Sequence, residues 1–132
     1  MPLSLQGVAP LLQVFDMPAS VRFYRDALEF EVAQTSGPEP FDWAMLNGHG
    51  CTLMLNTAYE PHRRPHAPDP ARVAAHRDTA LYFFCRDVDE AYAHLVTAGV
   101  DVKPPEVTQY RFRALHVTDP DGYGLCFHWP LE

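Results

Sequence analysis

The sequence has very little positive charge. Lys103 is its one lysine, and lysine and arginine together number 10, against 17 aspartate and glutamate residues. Proteins that bind nucleic acid normally carry a basic face, so the formal net charge of −7 argues against a nucleic-acid partner. An acidic surface tolerates or attracts a cationic ligand, although a charge of this size mostly serves solubility.

Long apolar runs are also missing. No run approaches the ~18 residues that a membrane-spanning helix needs, so we expect no membrane partner. The first six residues have neither a basic segment nor a long apolar segment, and a signal peptide needs both. The expected location is therefore the cytoplasm.

Cysteine is scarce and irregularly placed. The three cysteines are Cys51, Cys85 and Cys126, and no two of them form a C-x-x-C pair. An odd number at wide spacing is typical neither of a disulfide framework nor of a zinc site. Because each lies in an apolar, strand-like run, we expect small buried hydrophobic residues.

The first half of the chain reads as strand, helix and three strands. A strand is predicted at 8–15, and the spacing of Val21, Tyr24 and Leu28 predicts an amphipathic helix with Pro18 near its first turn. Further strands are predicted at 30–35, 41–46 and 51–56. Asn47-Gly48 predicts the hairpin turn between the last two strands.

The second half repeats this order after a linker. Residues 57–78 are rich in proline, with a short helix predicted at 70–76. A strand at 80–85, a helix opening at Asp87 and ending before Gly99, and a short strand at 100–102 follow. The last strands are predicted at 111–117 and 123–129, joined by a turn at 119–122.

A length of 132 residues fits one domain, residues 1–132, built from two units. The first module spans about 5–57, the linker about 58–78 and the second module about 79–132. A repeated unit of this kind cannot bury its sheet face alone, so we expect the two modules to pack together. The predicted fold class is α+β.

Three motifs resemble those of the vicinal-oxygen-chelate superfamily, which includes glyoxalases, bleomycin-resistance proteins and dioxygenases. Val14-Phe15-Asp16 with Ser20, Phe23-Tyr24, Asp26, Leu28 and Phe30 resembles the opening of its first module, and Asp87-Val88-Asp89 with Leu95 and Gly99-Val100 that of its second. Asp119-Pro120-Asp121-Gly122-Tyr123 resembles its most specific motif. Glu29 departs from this pattern, because the family usually has glycine there, which puts a local turn in question.

The resemblance implies two βαβββ modules that form an open, cup-like mixed sheet. It also implies a small-molecule ligand in the cup and, commonly, a homodimer. Family enzymes hold one divalent metal with four side chains from the first and last strands of each module. A cation needs several lone pairs that converge on one point.

Carried over one at a time, those four metal positions fall on Ala9, Thr52, Ala80 and Cys126. Alanine cannot coordinate a metal, threonine is a poor ligand, and one thiolate does not make a site. A shift of register by one residue does not restore a ligand set. We therefore expect no metal and no cofactor.

The ligand face follows from the same positions, because residues two apart on a strand share a face. Trp43, Met45 and His116 are added from neighbouring strands. The expected ligand-binding residues are Leu11, Gln13, Trp43, Met45, Thr52, Met54, Tyr82, Phe84, His116, Cys126 and His128. Such an apolar, aromatic lining is typical of small-molecule sites, but the same residues could simply fill the cup.

Three further groups have alternative interpretations. Cys126 and His128 could form a reactive thiol–imidazole pair, although a plain buried cysteine is favoured. His62 and His66 would make a metal pair only on a helix, which the linker prolines disfavour, so a solvated linker or a mobile lid is the better interpretation. Asp119 and Asp121 are interpreted first as turn residues.

The predicted function is metal-independent binding of an aromatic or cationic small molecule, as in bleomycin-resistance members, with no assigned catalytic residue. The alternative is an enzyme, either a metal-dependent glyoxalase-type lyase or isomerase, an extradiol-type dioxygenase, or a metal-free catalyst. Its metal would need displaced ligands chosen from Gln13, His116, Cys126 and His128. Fold alone does not decide between these functions.

Overall fold

The computed structural model describes residues 2–132, and its strands form two four-stranded sheets of the same order. The first sheet has the order β1-β4-β3-β2, with β1 parallel to β4 and the other pairs antiparallel. The second sheet repeats this arrangement as β5-β8-β7-β6. The predicted fold class, α+β with two βαβββ modules, is confirmed.

The elements have the following bounds. The first module contains β1 (Leu11–Gln13), α1 (Met17–Arg22) continued by a π-helical turn (Phe23–Ala27), β2 (Glu31–Thr35), β3 (Trp43–Gly48) and β4 (Cys51–Asn56). The linker contains α2 (Pro70–His76). The second module contains β5 (Ala80–Phe84), α3 (Val88–Thr97), β6 (Glu106–Val107), β7 (Phe112–Thr118) and β8 (Gly124–Pro130).

Each α-helix begins at an aspartate that caps it. The Asp16 carboxylate accepts from the Ala19 N–H at 3.1 Å, and the Asp87 carboxylate accepts from the Glu90 N–H at 2.9 Å. Asp69 does the same for α2. A side-chain oxygen at this place satisfies an N–H that has no partner within the helix. These local signals explain why the predicted helix starts are right, including the short helix at 70–76.

The second strand of the second module was wrongly predicted. It lies at Glu106–Val107 rather than at 100–102. The Val100 N–H instead donates to the Leu95 carbonyl at the end of α3, at 3.0 Å. Pro104 and Pro105 have no N–H to give to a sheet, so pairing with β7 begins only after them.

The first hairpin turn is also displaced by two residues. Gly48 lies in β3 and pairs with Cys51, while His49 and Gly50 form the turn, with φ of 54° and 74°. Two positive φ values make the tight hairpin turn that matches strand twist. A Cβ on Gly48 would lie 2.9 Å from the Phe30 ring, so this glycine is needed for packing rather than for the turn.

Glu29 adopts the left-handed conformation that the family usually assigns to glycine. Its φ is 63°, and Gly99 at the same place after α3 has a φ of 84°. The turn is thus kept in both modules. A residue with a Cβ pays roughly 1–2 kcal/mol for this conformation.

One hydrophobic core joins the two modules. Its largest fully buried strand residues are Leu12, Leu46, Leu55, Leu115 and Leu125, and the helices supply Val21, Tyr24, Val88 and Leu95. The rings of Phe30 and Phe83 meet across the module boundary at 6.4 Å. Because side chains alternate along a strand, each sheet turns its opposite face away from this core.

Within the described residues, no helix has the length and apolar character needed to cross a membrane.

Candidate functional site

The side of the first sheet that faces away from the core carries six of the expected ligand residues. This first open face contains Leu11, Gln13, Trp43, Met45, Thr52 and Met54. In the sheet register Met54 lies between Leu11 and Met45. The Asn56 side-chain amide, two residues beyond Met54, donates to the Gln13 side-chain carbonyl at 3.2 Å. The face is mostly apolar, with this amide pair at one end. At the other end the Thr52 hydroxyl donates to the Asn47 side-chain carbonyl at 3.0 Å.

The corresponding side of the second sheet carries the other five. This second open face contains Tyr82, Phe84, His116, Cys126 and His128. Cys126 lies between Tyr82 and His116, and His128 lies beside Phe84. The predicted side-chain alternation therefore brings each group of residues together on its own sheet.

His128 is the centre of an aromatic stack that the sequence reasoning did not foresee. Its ring lies 4.9 Å from the rings of both Phe84 and Phe112, at interplanar angles of 26° and 24°. Tyr82 approaches edge-on at 5.2 Å. Phe112 was missed, although alternation from His116 along β7 would have placed it on this face.

One atom of this stack has an unusual environment. His128 Nε2 is buried and has no hydrogen-bond partner among the described residues. Buried polar atoms normally have a partner. The imidazole therefore contributes here mainly as a flat ring packed between two phenyl rings.

Large side chains on both open faces are exposed in the single chain. The exposed fraction is 48% for Leu11, 61% for Tyr82 and 74% for Phe84. No hydrogen bond or aromatic contact between described residues joins the first open face to the second. One chain thus presents two separate open faces.

The four positions carried over from the family's metal ligands do not form a donor set. The register places Cys126 beside Tyr82 and Ala80 beside Gly124, and neither alanine nor glycine supplies a side-chain donor. Across residues 2–132, no cluster of three or more His, Cys, Asp or Glu side chains could hold a metal ion. These four positions do not supply the several donors that a divalent ion needs.

Cys126 behaves as a buried hydrophobic residue. It is 3% exposed, and burial raises the pKa of its thiol. No hydrogen bond joins it to His128 within the described part of the chain. A raised pKa disfavours the thiolate, so the geometry supports the plain cysteine over the reactive pair.

The linker packs against the residues that follow β1. The Tyr59 ring lies 5.4 Å from the Phe15 ring, and the Arg64 guanidinium lies over Phe15 and 3.4 Å from the Asp16 carboxylate. His62 contacts Glu60 at 3.2 Å. A mobile lid over the ligand faces stays a prediction.

Asp119 and Asp121 are turn residues, and they are also buried, each with 4% exposure. Asp119 Oδ1 accepts from the N–H groups of Asp121 and Tyr123, both at 2.9 Å, and Tyr24 donates to Oδ2 at 2.6 Å. Burial raises the pKa of both carboxyl groups. All these bonds are structural, which supports the turn interpretation over an acid/base role.

Comparison with known proteins places the chain in a family. Residues 7–127 match the model of the Glyoxalase/Bleomycin resistance protein/Dioxygenase superfamily. No curated protein sequence matches the chain.

Solved structures share the fold at low sequence identity. A bleomycin resistance determinant encoded on the transposon Tn5 has a TM-score of 0.73 at 18% identity, covering 97% of this chain and 100% of its own. A bleomycin-binding protein complexed with bleomycin has a TM-score of 0.70 at 19% identity, with the same coverage. A glyoxalase/bleomycin resistance protein/dioxygenase from Nocardioides has a TM-score of 0.70 at 24% identity, covering 98% and 87%. Because the family model matches residues 7–127, most of this chain, the chain belongs to the Glyoxalase/Bleomycin resistance protein/Dioxygenase superfamily.

Proposed function

We propose that this protein binds an aromatic or cationic small molecule without a metal. A structural neighbour, a bleomycin-binding protein in complex with bleomycin, supports the binding of a small molecule. The observation that carries the proposal is the stack of Phe84, His128 and Phe112 with Tyr82 at its edge. Phe84 is 74% exposed, so the outer side of this stack is open to a further flat ring. A pair of aromatic rings contributes about 0.5–1.5 kcal/mol in addition to the free energy of burying their apolar surface.

The charge of the two faces favours the same class of ligand. None of the eleven predicted ligand residues is a lysine, an arginine, an aspartate or a glutamate. The carboxylate of Glu106 lies on the second open face, 3.8 Å from the His116 ring. An anionic ligand would therefore lose its hydration without gaining a cationic partner. A cation can bind over an exposed aromatic ring, and the net charge of −7 attracts it to the surface.

A second copy of the chain is the expected partner. Leu11, Tyr82 and Phe84 are large and exposed on the same faces that carry the proposed ligand residues. Exposed apolar surface of this kind is typical of an interaction site. Light scattering of the purified protein should give twice the mass of 14.9 kDa; a monomer at micromolar concentration would reject the dimer.

Three free cysteines fit a reducing compartment, which supports a cytoplasmic location.

The binding test is calorimetry of the purified protein with bleomycin, followed by other cationic aromatic compounds. We expect a dissociation constant at or below the micromolar range and at least a tenfold loss of affinity for Phe84→Ala. Tyr110→Ala is the matched control, because Tyr110 is 76% exposed and lies outside both open faces. No binding to the wild-type protein, or equal losses in both variants, would refute this ligand class.

The metal test is elemental analysis after incubation with Zn, Ni, Mn and Fe(II) and dialysis. We expect less than about a tenth of an equivalent per chain, because a real site binds tightly. The unpartnered His128 Nε2 is the one feature that favours the alternative enzyme. Nearly one equivalent of metal, lost in His128→Ala, would therefore replace the binding proposal with an enzyme that uses displaced ligands.

A further inference from the structure

β1 is a short edge strand that carries part of the first open face. Its inner edge is bonded to β4: the Met54 N–H donates to the Pro10 carbonyl at 2.9 Å, and the Val14 N–H donates to the Asn56 carbonyl at 2.8 Å. The N–H groups of Gln13 and Phe15 point the other way. An edge strand normally leaves such groups to solvent or to another chain.

Both of these outward N–H groups bond to side chains of the second module. The Gln13 N–H donates to the Tyr123 hydroxyl at 3.0 Å, and the Phe15 N–H donates to Asp121 Oδ1 at 2.7 Å. The partners are 110 and 106 residues apart in the chain. We call Asp121 and Tyr123 the clamp.

The clamp is itself held by two residues, one in α1 and one in the linker helix. The Ser20 hydroxyl of α1 donates to Asp121 Oδ2 at 3.1 Å. The His76 ring of the linker helix stacks on Tyr123 at 4.2 Å and 9°, and its Nδ1 lies 2.7 Å from the Asp121 carbonyl. The clamp therefore has little freedom to move away from β1.

The repeat does not provide the same feature to the second module. Phe84 in β5 is the equivalent of Gln13, because each lies three residues before the aspartate that caps the following helix, Asp87 or Asp16. The first module's turn consists only of His49 and Gly50. Among the described residues, no side chain accepts a hydrogen bond from the N–H groups of Tyr82 or Phe84 on the outer edge of β5.

We propose that Tyr123 and Asp121 are positioning residues for the ligand site, because they fix the backbone of β1 from the other module and so hold Gln13 on the first open face. The inference rests on the proposed function only in treating that face as the ligand site. Gln13 already accepts from Asn56, so its own amide N–H₂ is left to meet a ligand. A β1 free to fray would not present that amide in one place.

The test is amide hydrogen exchange of the full chain measured by NMR in the absence of ligand. Tyr123→Phe removes the hydroxyl and keeps the ring that stacks on His76. We expect the Gln13 amide to exchange at least tenfold faster, with the Leu115 amide in the core unchanged. Tyr110→Phe is the control, since Tyr110 is 76% exposed and lies outside both open faces.

A second variant makes the test independent of Tyr123. In Asp121→Asn the side-chain oxygen can still accept from the Phe15 N–H, so Phe15 should keep wild-type protection, whereas Asp121→Ala should lose it. Unchanged Gln13 exchange in Tyr123→Phe would overturn the proposal. Equal acceleration at Gln13 and Leu115 would also overturn it, because that pattern reports a general loss of stability.

Calorimetry with bleomycin then separates this inference from the proposed ligand. If the wild-type protein binds, Tyr123→Phe should weaken binding severalfold while Tyr110→Phe does not. Unchanged affinity in Tyr123→Phe would overturn the link to the ligand site. If the wild-type protein does not bind, the proposed ligand fails, and the exchange data alone decide whether the clamp positions β1.

Discussion

Replacing Asp119 by alanine should remove a large part of the stability of this protein. Three donors point at this carboxylate: the N–H groups of Asp121 and Tyr123 and the hydroxyl of Tyr24. Tyr24 is fully buried, so its hydroxyl has no access to water. Each buried donor left without a partner costs about 1–3 kcal/mol.

The magnitude is smaller than the sum of these terms, because the carboxylate is itself expensive to bury. We expect Asp119→Ala to lower the free energy of unfolding by about 3–5 kcal/mol, the range found when one partner of a buried charged network is removed. Asp119→Asn keeps the oxygen that accepts the two N–H groups and should cost about 1 kcal/mol. Tyr24→Phe removes one bond to a charged group and should cost about 1.5–3 kcal/mol.

Urea unfolding followed by circular dichroism measures these differences for the single variants and for Tyr24→Phe/Asp119→Asn. The double variant should be more stable than the sum of the single effects by about 1 kcal/mol or more, since the two side chains are in contact. An Asp119→Ala protein within about 1 kcal/mol of wild type would refute the reasoning. Strict additivity of Tyr24→Phe and Asp119→Asn would refute the coupling.

The same carboxyl groups predict a pH dependence. Burial raises the pKa of Asp119 and Asp121 in the folded protein above their usual value. Between the usual and the raised pKa the folded state binds more protons than the unfolded state, so the free energy of unfolding falls as the pH rises. The stability of wild type relative to Asp119→Asn should therefore be greater at pH 5 than at pH 8. A pH-independent difference would contradict this assignment.

The remaining predictions concern single positions. Gly122→Ala should lower the free energy of unfolding by about 3 kcal/mol or more, because φ is 93° and the new Cβ would lie 2.6 Å from the Val73 carbonyl oxygen of α2. Urea unfolding measures this loss. Gly37→Ala is the control, since its new Cβ would meet nothing within 4 Å. Glu29→Gly should stabilise by up to about 1 kcal/mol, since the relief of its left-handed backbone exceeds the entropy cost of glycine; a measurable loss of stability would contradict this. In native protein, Cys126 should react with a thiol reagent more slowly than the other two cysteines, because it is the buried one, as mass spectrometry of the labelled peptides would show; equal labelling would reject this.

The elements that the sequence predicted best are those with local causes. α2 was placed from Pro70 and its flanking residues alone, and Asp69 caps it. The start of α3 follows from Asp87 in the same way. Capping and helix periodicity act within a few residues, so one stretch of sequence contains the information.

The wrong predictions concern strand and turn positions that are set by contacts with distant parts of the chain. Residues 100–102 have the composition of a strand, but pairing with β7 is possible only beyond Pro104 and Pro105. Asn47-Gly48 is a strong turn signal, but β3 continues to Gly48 because Phe30 packs against it. Strand register depends on the partner strand and on what covers it, which a single segment does not contain.

The candidate site was likewise predictable in its local features and not in those that depend on distant contacts. Side-chain alternation placed all eleven predicted ligand residues on the two open faces, but their role as ligand residues stays a prediction. Side-chain alternation did not show that the two open faces would have no contact with each other in one chain. That outcome depends on how the modules pack, and packing is set by contacts such as Phe30 with Phe83 that join distant segments.

The two halves of the repeat differ most in the turn that precedes their last strand. A tight turn needs no buried carboxylate, as His49 and Gly50 show in the first module. In the second module, Asp119 and Asp121 are both buried although desolvation raises the pKa of each. The hydrogen bonds that the carboxylates accept offset part of this cost. Two of those bonds stay within the turn, from the N–H groups of Asp121 and Tyr123 to Asp119. The others reach Tyr24, Ser20 and the edge of β1, so the turn's composition is explained by the first module as well as by the hairpin that contains it.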